Sequence, residues 1–324
     1  MRARGGIDLG GTKIQAVIAG PRHGVLGQAR RPTPTAGGPR AVIKAMVATL
    51  TEAAGQAGIE VSALEGVGVG SPGEVDGETG TVANAGNLPG WTGSYPVREE
   101  LEKQLGVAVA VGNDVSVATE AEARLGAGRP YNSFVGVFWG TGVGGGLIFD
   151  RQLWQGRGFA GEIGHMVVKL GGAPCPCGRR GCLEAYAGRA SMERKARKRH
   201  AKGEKTVLLK IMREHDRPRM TSGVWARALE REDELALRIV NRAVEALGAG
   251  IASVINLLDL EAVIIGGGLG LRLGQPYVER IEAAMFPHLF VDQRPPAVHL
   301  AELGDLGGAI GASLLPAPPV LAVA

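Results

Sequence analysis

The chain has 324 residues, which is enough for two domains that each bury a hydrophobic core. Hydrophobic residues make up 45% of it and charged residues 21%, the balance of an ordinary globular protein, and no apolar run is long enough to span a bilayer. Much of the net charge of +4 comes from residues 193–205, where no aromatic side chain is available to stack on bases. We therefore expect a solvated helix face there, and neither nucleic acid nor a membrane as a partner.

Hydrophobic periodicity predicts alternating strands and helices in the first part of the chain. A strand at Arg4–Leu9 leads into a glycine turn and then into strands at 14–19 and 25–30. The elements predicted after these are a helix at 41–54, a strand at 66–70, a helix at 96–105, a strand at 107–111 and a helix at 115–125.

The same order of elements recurs in the second part of the chain. It comprises a strand at 134–138, a glycine turn at 140–146, a strand at 147–150, helices through much of 189–258, a strand at 263–265 and a last helix at 306–315. Two such units predict an internally duplicated α/β architecture. We expect one domain at 1–126 and a larger one at 127–304, with a helix at about 305–316 that can pack back on the first.

The first glycine turn, Asp8-Leu9-Gly10-Gly11-Thr12-Lys13, joins two predicted strands. Gly10 and Gly11 allow the backbone to approach an anion closely, and successive N–H groups, including that of Thr12, can point at phosphate oxygens. Asp8 is placed to hold a magnesium ion through water. The alternative is a plain hairpin turn with an exposed Asp8, and Lys13 either contacts phosphate or faces solvent.

The second turn begins Gly140-Thr141-Gly142-Val143-Gly144-Gly145, which matches the dinucleotide fingerprint G-x-G-x-x-G. That fingerprint requires a helix directly after the glycines, whereas here a strand is predicted, so a nicotinamide oxidoreductase is disfavoured. A phosphate loop between two strands explains the pattern better, with Thr141, Gly142 and Gly144 as candidates. A third glycine run, Gly266-Gly267-Gly268, follows a buried strand and is a candidate for lining a nucleotide base and ribose.

All three cysteines, Cys175, Cys177 and Cys182, fall within eight residues, and His165 lies ten residues before the first. Three thiolates and one imidazole form the closed tetrahedral set of a structural zinc, with no open position for water or substrate. An iron–sulfur cluster would require a fourth thiolate. A disulfide with a spare thiol, or buried free cysteines, are the alternatives. With no cysteine elsewhere and no apolar run of signal-peptide length at the N-terminus, we expect a cytoplasmic protein.

Asn113 and Asp114 stand at a predicted strand-to-helix junction. A carboxylate there can accept the proton of a substrate hydroxyl as a general base. Aspartate is also a favoured N-cap residue, so Asp114 could instead cap the helix that follows. The local sequence leaves both roles open.

Together these motifs resemble the ROK family of bacterial sugar kinases and repressors, and most closely its zinc-containing glucokinases. The residues that carry the resemblance are DLGGTK at 8–13, ND at 113–114, TGVGGG at 141–146, EIGH at 162–165, CPCGRRGCLE at 175–184 and GGG at 266–268. The cysteine motif combined with E-x-G-H is highly specific, whereas each glycine turn alone is a weak signal.

The resemblance implies two ribonuclease-H-like (actin-like ATPase) domains with an active site in the cleft between them. It also implies an ATP- and Mg²⁺-dependent hexose kinase, above all a glucokinase, that forms a homodimer or homotetramer. Asp114 would be the catalytic base, and His165 would ligate zinc as well as sugar. The residues implied to bind sugar are Asn113, Asp114, Glu162, His165 and Glu184.

Two further hypotheses remain within the family. The fold could serve another sugar, such as N-acetylglucosamine, N-acetylmannosamine, mannose or fructose, and the donor could be polyphosphate. A sugar-responsive repressor is disfavoured, because only seven residues precede Asp8 and no helix–turn–helix fits there.

Overall fold

The computed structural model describes residues 3–86, 88 and 90–315 of the chain. These residues fall into two units: unit 1 contains residues up to 126 together with those from 306 onward, and unit 2 contains residues 127–305. Positions 1, 2 and 316, which we assigned to the first domain and its returning helix, lie outside the described part. Within the described part, no helix is both long and apolar enough to cross a membrane.

Unit 1 is built on a sheet whose strands follow the order β3-β2-β1-β4-β8. The strands of unit 1 as a whole are β1 (Arg4–Leu9), β2 (Lys13–Ala19), β3 (Val25–Pro32), β4 (Val67–Ser71), β5 (Glu74–Asp76), β6 (Thr81–Ala83), β7 (Ser94–Tyr95) and β8 (Val109–Asn113). Strands β5, β6 and β7 form a separate small sheet. Its helices are α1 (Gly38–Ala57), α2 (Val97–Leu105), α3 (Asp114–Leu125) and, from the far end of the chain, α11 (Gly307–Leu314).

Unit 2 is built on a second sheet, whose strands are β9 (Phe134–Trp139), β10 (Val143–Phe149), β11 (Gln152–Trp154), β12 (Ala262–Gly266) and β13 (Ala297–Leu300). Their order is β11-β10-β9-β12-β13. Its helices are α4 (Glu184–Ala187), α5 (Arg189–His200), α6 (Leu208–Glu214), α7 (Ser222–Glu230), α8 (Glu234–Leu258), α9 (Gly267–Leu273) and α10 (Gln275–Met285). Helix α8 is the centre of the helical layer and packs against α4, α5, α7 and α10.

The two sheets have the same connectivity. In each, the first three strands form an antiparallel meander. A fourth strand then pairs in parallel with the free edge of the first, and a fifth pairs in parallel with the fourth. Parallel additions of this kind need crossover connections, which are supplied by the intervening helices. The predicted duplicated, ribonuclease-H-like architecture is confirmed.

Several boundaries differ from the predicted ones by two or more residues, and two of the changes lie at glycine runs. Strand β10 begins at Val143, not at residue 147, so the turn before it contains only Gly140, Thr141 and Gly142. Glycine has a poor strand propensity, and pairing with β9 overrides it here. The run at 266–268 is similarly a junction, since β12 ends at Gly266 and α9 begins at Gly267.

Helix α11 lies directly on the backbone of the sheet in unit 1. Gly6 of β1 and Gly68 of β4 are neighbours in register. A methyl group on Gly6 would overlap the carbonyl oxygen of Ala309, and one on Gly68 would overlap that of Ala312. These two glycines therefore permit a helix-to-sheet approach that no larger residue allows.

We expect Gly68→Ala to lower the free energy of unfolding by about 1–3 kcal/mol, the usual cost of overpacking a tight contact. Gly55→Ala is the matched control, because Gly55 lies in α1 with nothing near its missing Cβ. Alanine there should raise stability by about 0.5–1 kcal/mol, since glycine is costly inside a helix. Urea unfolding followed by circular dichroism measures both changes, and equal stabilities for the two variants would contradict the packing.

Candidate functional site

The carboxyl ends of three parallel strands meet at one edge of the sheet in unit 1. Asp8 of β1 is in register with Gly70 of β4, which is in turn in register with Gly112 of β8. Asn113 is the last residue of β8, and Asp114 follows it at the start of α3. In open α/β sheets, ligands bind outside the carboxyl ends of such strands. Asp8 and Asp114 thus share the edge where a substrate is expected.

Asn113, not Asp114, caps helix α3. Its Oδ1 accepts hydrogen bonds from the backbone N–H groups of Val115 and Ser116, both at 3.1 Å. Asp114 is the first helical residue and is half-buried, and its Oδ1 accepts the N–H of Val115 at 2.9 Å. The N-cap position of α3 is thus filled by Asn113, the residue that ends the strand, while Asp114 also accepts a backbone N–H of the first turn.

The first glycine turn is held by a side chain that the sequence did not indicate. Thr33, which follows the last residue of β3 and is only 5% exposed, donates its hydroxyl to the carbonyl of Gly10 at 2.5 Å. Its backbone N–H donates to the carbonyl of Thr12 at 3.2 Å, while Gly10 N–H bonds to Lys13 O at 2.9 Å. Strand pairing across β2 and β3 brings Thr33 to the turn, so no local motif could have found it.

Within the turn, Gly11 and Thr12 are exposed at the tip, and Lys13 is half-buried at the start of β2. The Asp8 carboxylate lies at the first turn of α11, where a Cβ on Gly308 would be 2.9 Å from its Cγ and 3.1 Å from each oxygen. A negative charge at the N-terminal end of a helix is stabilised by the helix dipole. Asp8 therefore lies between the glycine turn and α11.

The two predicted nucleotide segments of unit 2 lie side by side. A Cβ built on Gly140 would be 3.8 Å from the backbone nitrogen of Gly268. Gly267 has a φ of 79° and packs so closely on Trp139 that a Cβ would lie 2.6 Å from its backbone nitrogen. Gly144, in contrast, lies inside β10 opposite Phe138. The prediction that it belongs to the turn is therefore wrong.

Glu184 connects the cysteine segment to this turn. It begins α4, two residues after Cys182, and its half-buried carboxylate accepts the N–H of Val143 at 3.0 Å. A methyl group on Gly142 would overlap the Oε2 atom of Glu184. A side chain predicted to bind sugar is thus also packed against the predicted phosphate turn.

Arg189, at the start of α5, is a second residue that the sequence did not single out. Its guanidinium donates to Thr141 Oγ1 at 2.8 Å and to the carbonyl oxygen of Met220 at 2.9 Å. Burial lowers the pKa of this guanidinium, and the neighbouring Arg219 lowers it further. In the sequence, Arg189 is indistinguishable from the basic residues that follow it.

His165 and the three cysteines form one cluster, in which the candidate ligand atoms all lie within 4.8 Å of one another. Cys177 Sγ and Cys182 Sγ are 3.8 Å apart, as are His165 Nδ1 and Cys175 Sγ. Tetrahedral zinc with its usual bond lengths sets such pairs about 3.6–3.8 Å apart, whereas a disulfide requires about 2 Å. All three cysteines are free, so the donor set and its spacing fit zinc.

The imidazole of His165 has a different neighbour on each side. Nδ1 faces the thiols, and Nε2 is 3.9 Å from a carboxylate oxygen of Glu162, whose side chain is 53% exposed. A metal-bound histidine commonly has a carboxylate near its second nitrogen, which orients the ring. Glu162 is therefore held near the cluster while remaining accessible to a ligand.

The thiols differ in how readily they ionise. Burial raises the pKa of the Cys175 thiol to about 12. Burial also acts to raise the pKa of Cys177, but hydrogen bonds from the Arg179 backbone and the neighbouring thiols bring it down to about 7. A metal that binds thiolates here must displace protons, so binding and deprotonation are coupled.

Comparison with known proteins places this geometry in a family. The ROK family pattern matches residues 4–317. Glucokinase of Thermotoga maritima is 33% identical over 310 residues, which cover 94% of this chain and 95% of that protein. N-acetylmannosamine kinase of Haemophilus influenzae is 30% identical over 95% of this chain and 93% of that protein.

Among solved structures, a ROK family glucokinase from Streptomyces griseus in complex with glucose and AMPPNP is 29% identical. The similarity covers 96% of this chain and 98% of that one, with a TM-score of 0.83. The family match and the shared fold agree with the motifs read from the sequence, and the chain belongs to the ROK family.

Proposed function

We propose that the protein is an ATP-dependent hexose kinase that converts glucose and ATP to glucose 6-phosphate and ADP. The observation that carries this proposal is the position of Asp114 on the same sheet edge as Asp8, directly after Asn113 at the N-cap of α3. Membership of the ROK family and the similarity to glucokinases support the choice of reaction.

In the proposed reaction, Asp114 accepts the proton of the sugar hydroxyl. The hydroxyl oxygen attacks the γ-phosphorus of ATP, and the bond between this phosphorus and the oxygen of the departing ADP breaks. A positioned general base of this kind contributes about 10²–10⁴-fold to the rate. The amide of Asn113 can donate to a sugar hydroxyl, since its Oδ1 is occupied by the cap. The further sugar ligands are Glu162, His165 and Glu184.

The nucleotide is proposed to bind through backbone groups and small side chains. Mg²⁺, held by Asp8 through water, would neutralise charge on the transferred phosphoryl group. The phosphate ligands we propose are Gly10, Gly11, Thr12, Lys13, Thr141 and Gly142, and Gly266, Gly267 and Gly268 would line the base and ribose.

Zinc has a structural role in this proposal. Four protein ligands, His165, Cys175, Cys177 and Cys182, leave no position for substrate on the ion. His165 would hold the ion together with the three cysteines, and a bound zinc would keep His165 and the neighbouring Glu162 and Glu184 ordered before sugar binds, so that less ordering is required on binding.

The alternative within the family is a kinase for another sugar, favoured by the 30% identity to an N-acetylmannosamine kinase. A coupled assay across glucose, mannose, fructose, N-acetylglucosamine and N-acetylmannosamine, run with ATP and then with polyphosphate, separates the possibilities. We expect the highest kcat/KM for glucose with ATP. A higher value for any other pair would overturn the assignment of sugar or donor.

Asp114→Asn should lower kcat by about 10²–10⁴-fold, because it removes the base while keeping the shape of the side chain. Glucose affinity, measured by calorimetry, should change little. Asp292→Asn, at an exposed position outside the site, is the control that keeps full activity. An Asp114→Asn enzyme with normal turnover would exclude Asp114 as the base.

Cys177→Ala should remove the metal and weaken glucose binding together. Metal analysis by mass spectrometry should find about one zinc per wild-type chain and almost none in the variant. We expect the Kd for glucose to rise about tenfold or more, because the orienting partner of His165 is lost. Pro176→Ala, which changes an exposed residue of the same loop but no ligand, should retain zinc and affinity. Unchanged glucose affinity in a zinc-free variant would separate the metal from sugar binding.

A further inference from the structure

Arg189 is a cation that the proposed mechanism leaves without a role. The residue is half-buried, and its Nε atom is fully buried without a hydrogen-bond partner among the described residues. The charge of Glu193 acts from a distance to raise the pKa of Arg189, but that carboxylate is bound to Arg197 at 2.9 Å and to the N–H of Met220 at 3.1 Å. No carboxylate of the described chain forms an ion pair with Arg189. The guanidinium is therefore held by hydrogen bonds to two uncharged oxygens, those of Thr141 Oγ1 and Met220 O.

The hydrogen bond from Arg189 fixes the direction of the Thr141 hydroxyl. A guanidinium has donors only, so in the 2.8 Å contact Thr141 Oγ1 must be the acceptor. The hydroxyl hydrogen of Thr141 must then point away from Arg189, toward another acceptor. The donor to Thr141 is charged, and such bonds are about twice as strong as neutral ones.

The start of α5 is tied to the same turn through the backbone. Arg189 N–H donates to the carbonyl of Gly140 at 3.1 Å, and Ala190 N–H donates to that of Thr141 at 3.0 Å. The second guanidinium nitrogen donates to Met220 O at 2.9 Å, which anchors the side chain on the segment before α7. The backbone of the turn is thus held by the start of α5, and the Thr141 hydroxyl oxygen by a guanidinium that is itself anchored.

We propose that Arg189 is a positioning residue for nucleotide binding, which orients the Thr141 hydroxyl as a hydrogen-bond donor to a phosphate oxygen of ATP. This inference rests on the proposed function, since it requires that a nucleotide phosphate occupies the turn at Gly140–Gly142. It adds a residue whose effect on the nucleotide passes through Thr141.

Arg189→Met tests the inference, because methionine keeps a long side chain but has no donor. We expect the KM for ATP, and the Kd for AMPPNP measured by calorimetry, to rise about tenfold or more, as when a charge-assisted hydrogen bond is lost. The KM for glucose should stay within about twofold of wild type, because no predicted sugar ligand contacts the guanidinium. Arg194→Met, on the same helix but exposed and bound to Ser191, is the matched control and should leave both constants unchanged.

A double-mutant cycle with Thr141→Val distinguishes positioning from a general structural role. If Arg189 acts through Thr141, adding Arg189→Met to Thr141→Val should raise the KM for ATP by no more than about twofold. Multiplicative effects of the two changes would overturn the inference, and so would a wild-type KM for ATP in Arg189→Met.

Arg189→Lys covers the case in which Arg189→Met fails to fold. Lysine keeps a charged donor at this position, so its KM for ATP should lie between those of wild type and Thr141→Val, and a value above that of Thr141→Val would contradict the proposal. The proposed function is judged separately, by whether the wild-type enzyme phosphorylates a sugar with ATP. If the wild type is active but the KM for ATP and the Kd for AMPPNP are unchanged in the Arg189 variants, the kinase assignment is retained and only the positioning role of Arg189 is excluded.

Discussion

The contact between helix α11 and the sheet of unit 1 is the constraint on which the arrangement of its functional edge depends. Backbone lies against backbone at Gly6 and Gly68, so the helix can occupy only one depth above the strands. At that depth Gly308 comes against the carboxylate of Asp8, at the end of the strand that also carries Gly6. The position of the Asp8 carboxylate, the proposed magnesium-binding group, therefore depends on two glycines that take no part in the reaction.

The alternation of apolar segments was sufficient to predict most of the fold, including its duplication. One error falls where local propensity and tertiary pairing disagree, and helix α10 was not predicted at all. Strand β10 contains Gly144, Gly145 and Gly146, a run that favours a turn when read alone, yet its pairing with β9 makes it a strand. The short strands β5, β6, β7, β11 and β13 were not predicted, because segments of two to four residues carry too little periodicity to detect.

Candidate site residues could be recognised in the sequence where they are close together in the chain. The three cysteines are visible as a cluster in the chain itself, and the structure adds only the distances. Thr33 and Arg189 could not be found, because Thr33 reaches its turn through strand pairing and Arg189 through helix docking. Which of Asn113 and Asp114 occupies the N-cap position was also hidden, since either side chain can accept backbone N–H groups and the end of β8 decides which residue stands there.

The discontinuity of unit 1 has a consequence for biosynthesis. Unit 2 is one continuous segment, whereas the sheet of unit 1 receives α11 only after all of unit 2 has been translated. On the ribosome, helix α11 is therefore not available to cover the glycine-containing faces of β1 and β4 until roughly 180 further residues have emerged at about 5–20 per second. During the roughly 9–36 seconds that this takes, the backbone at Gly6 and Gly68 lacks the helix that covers it in the folded unit.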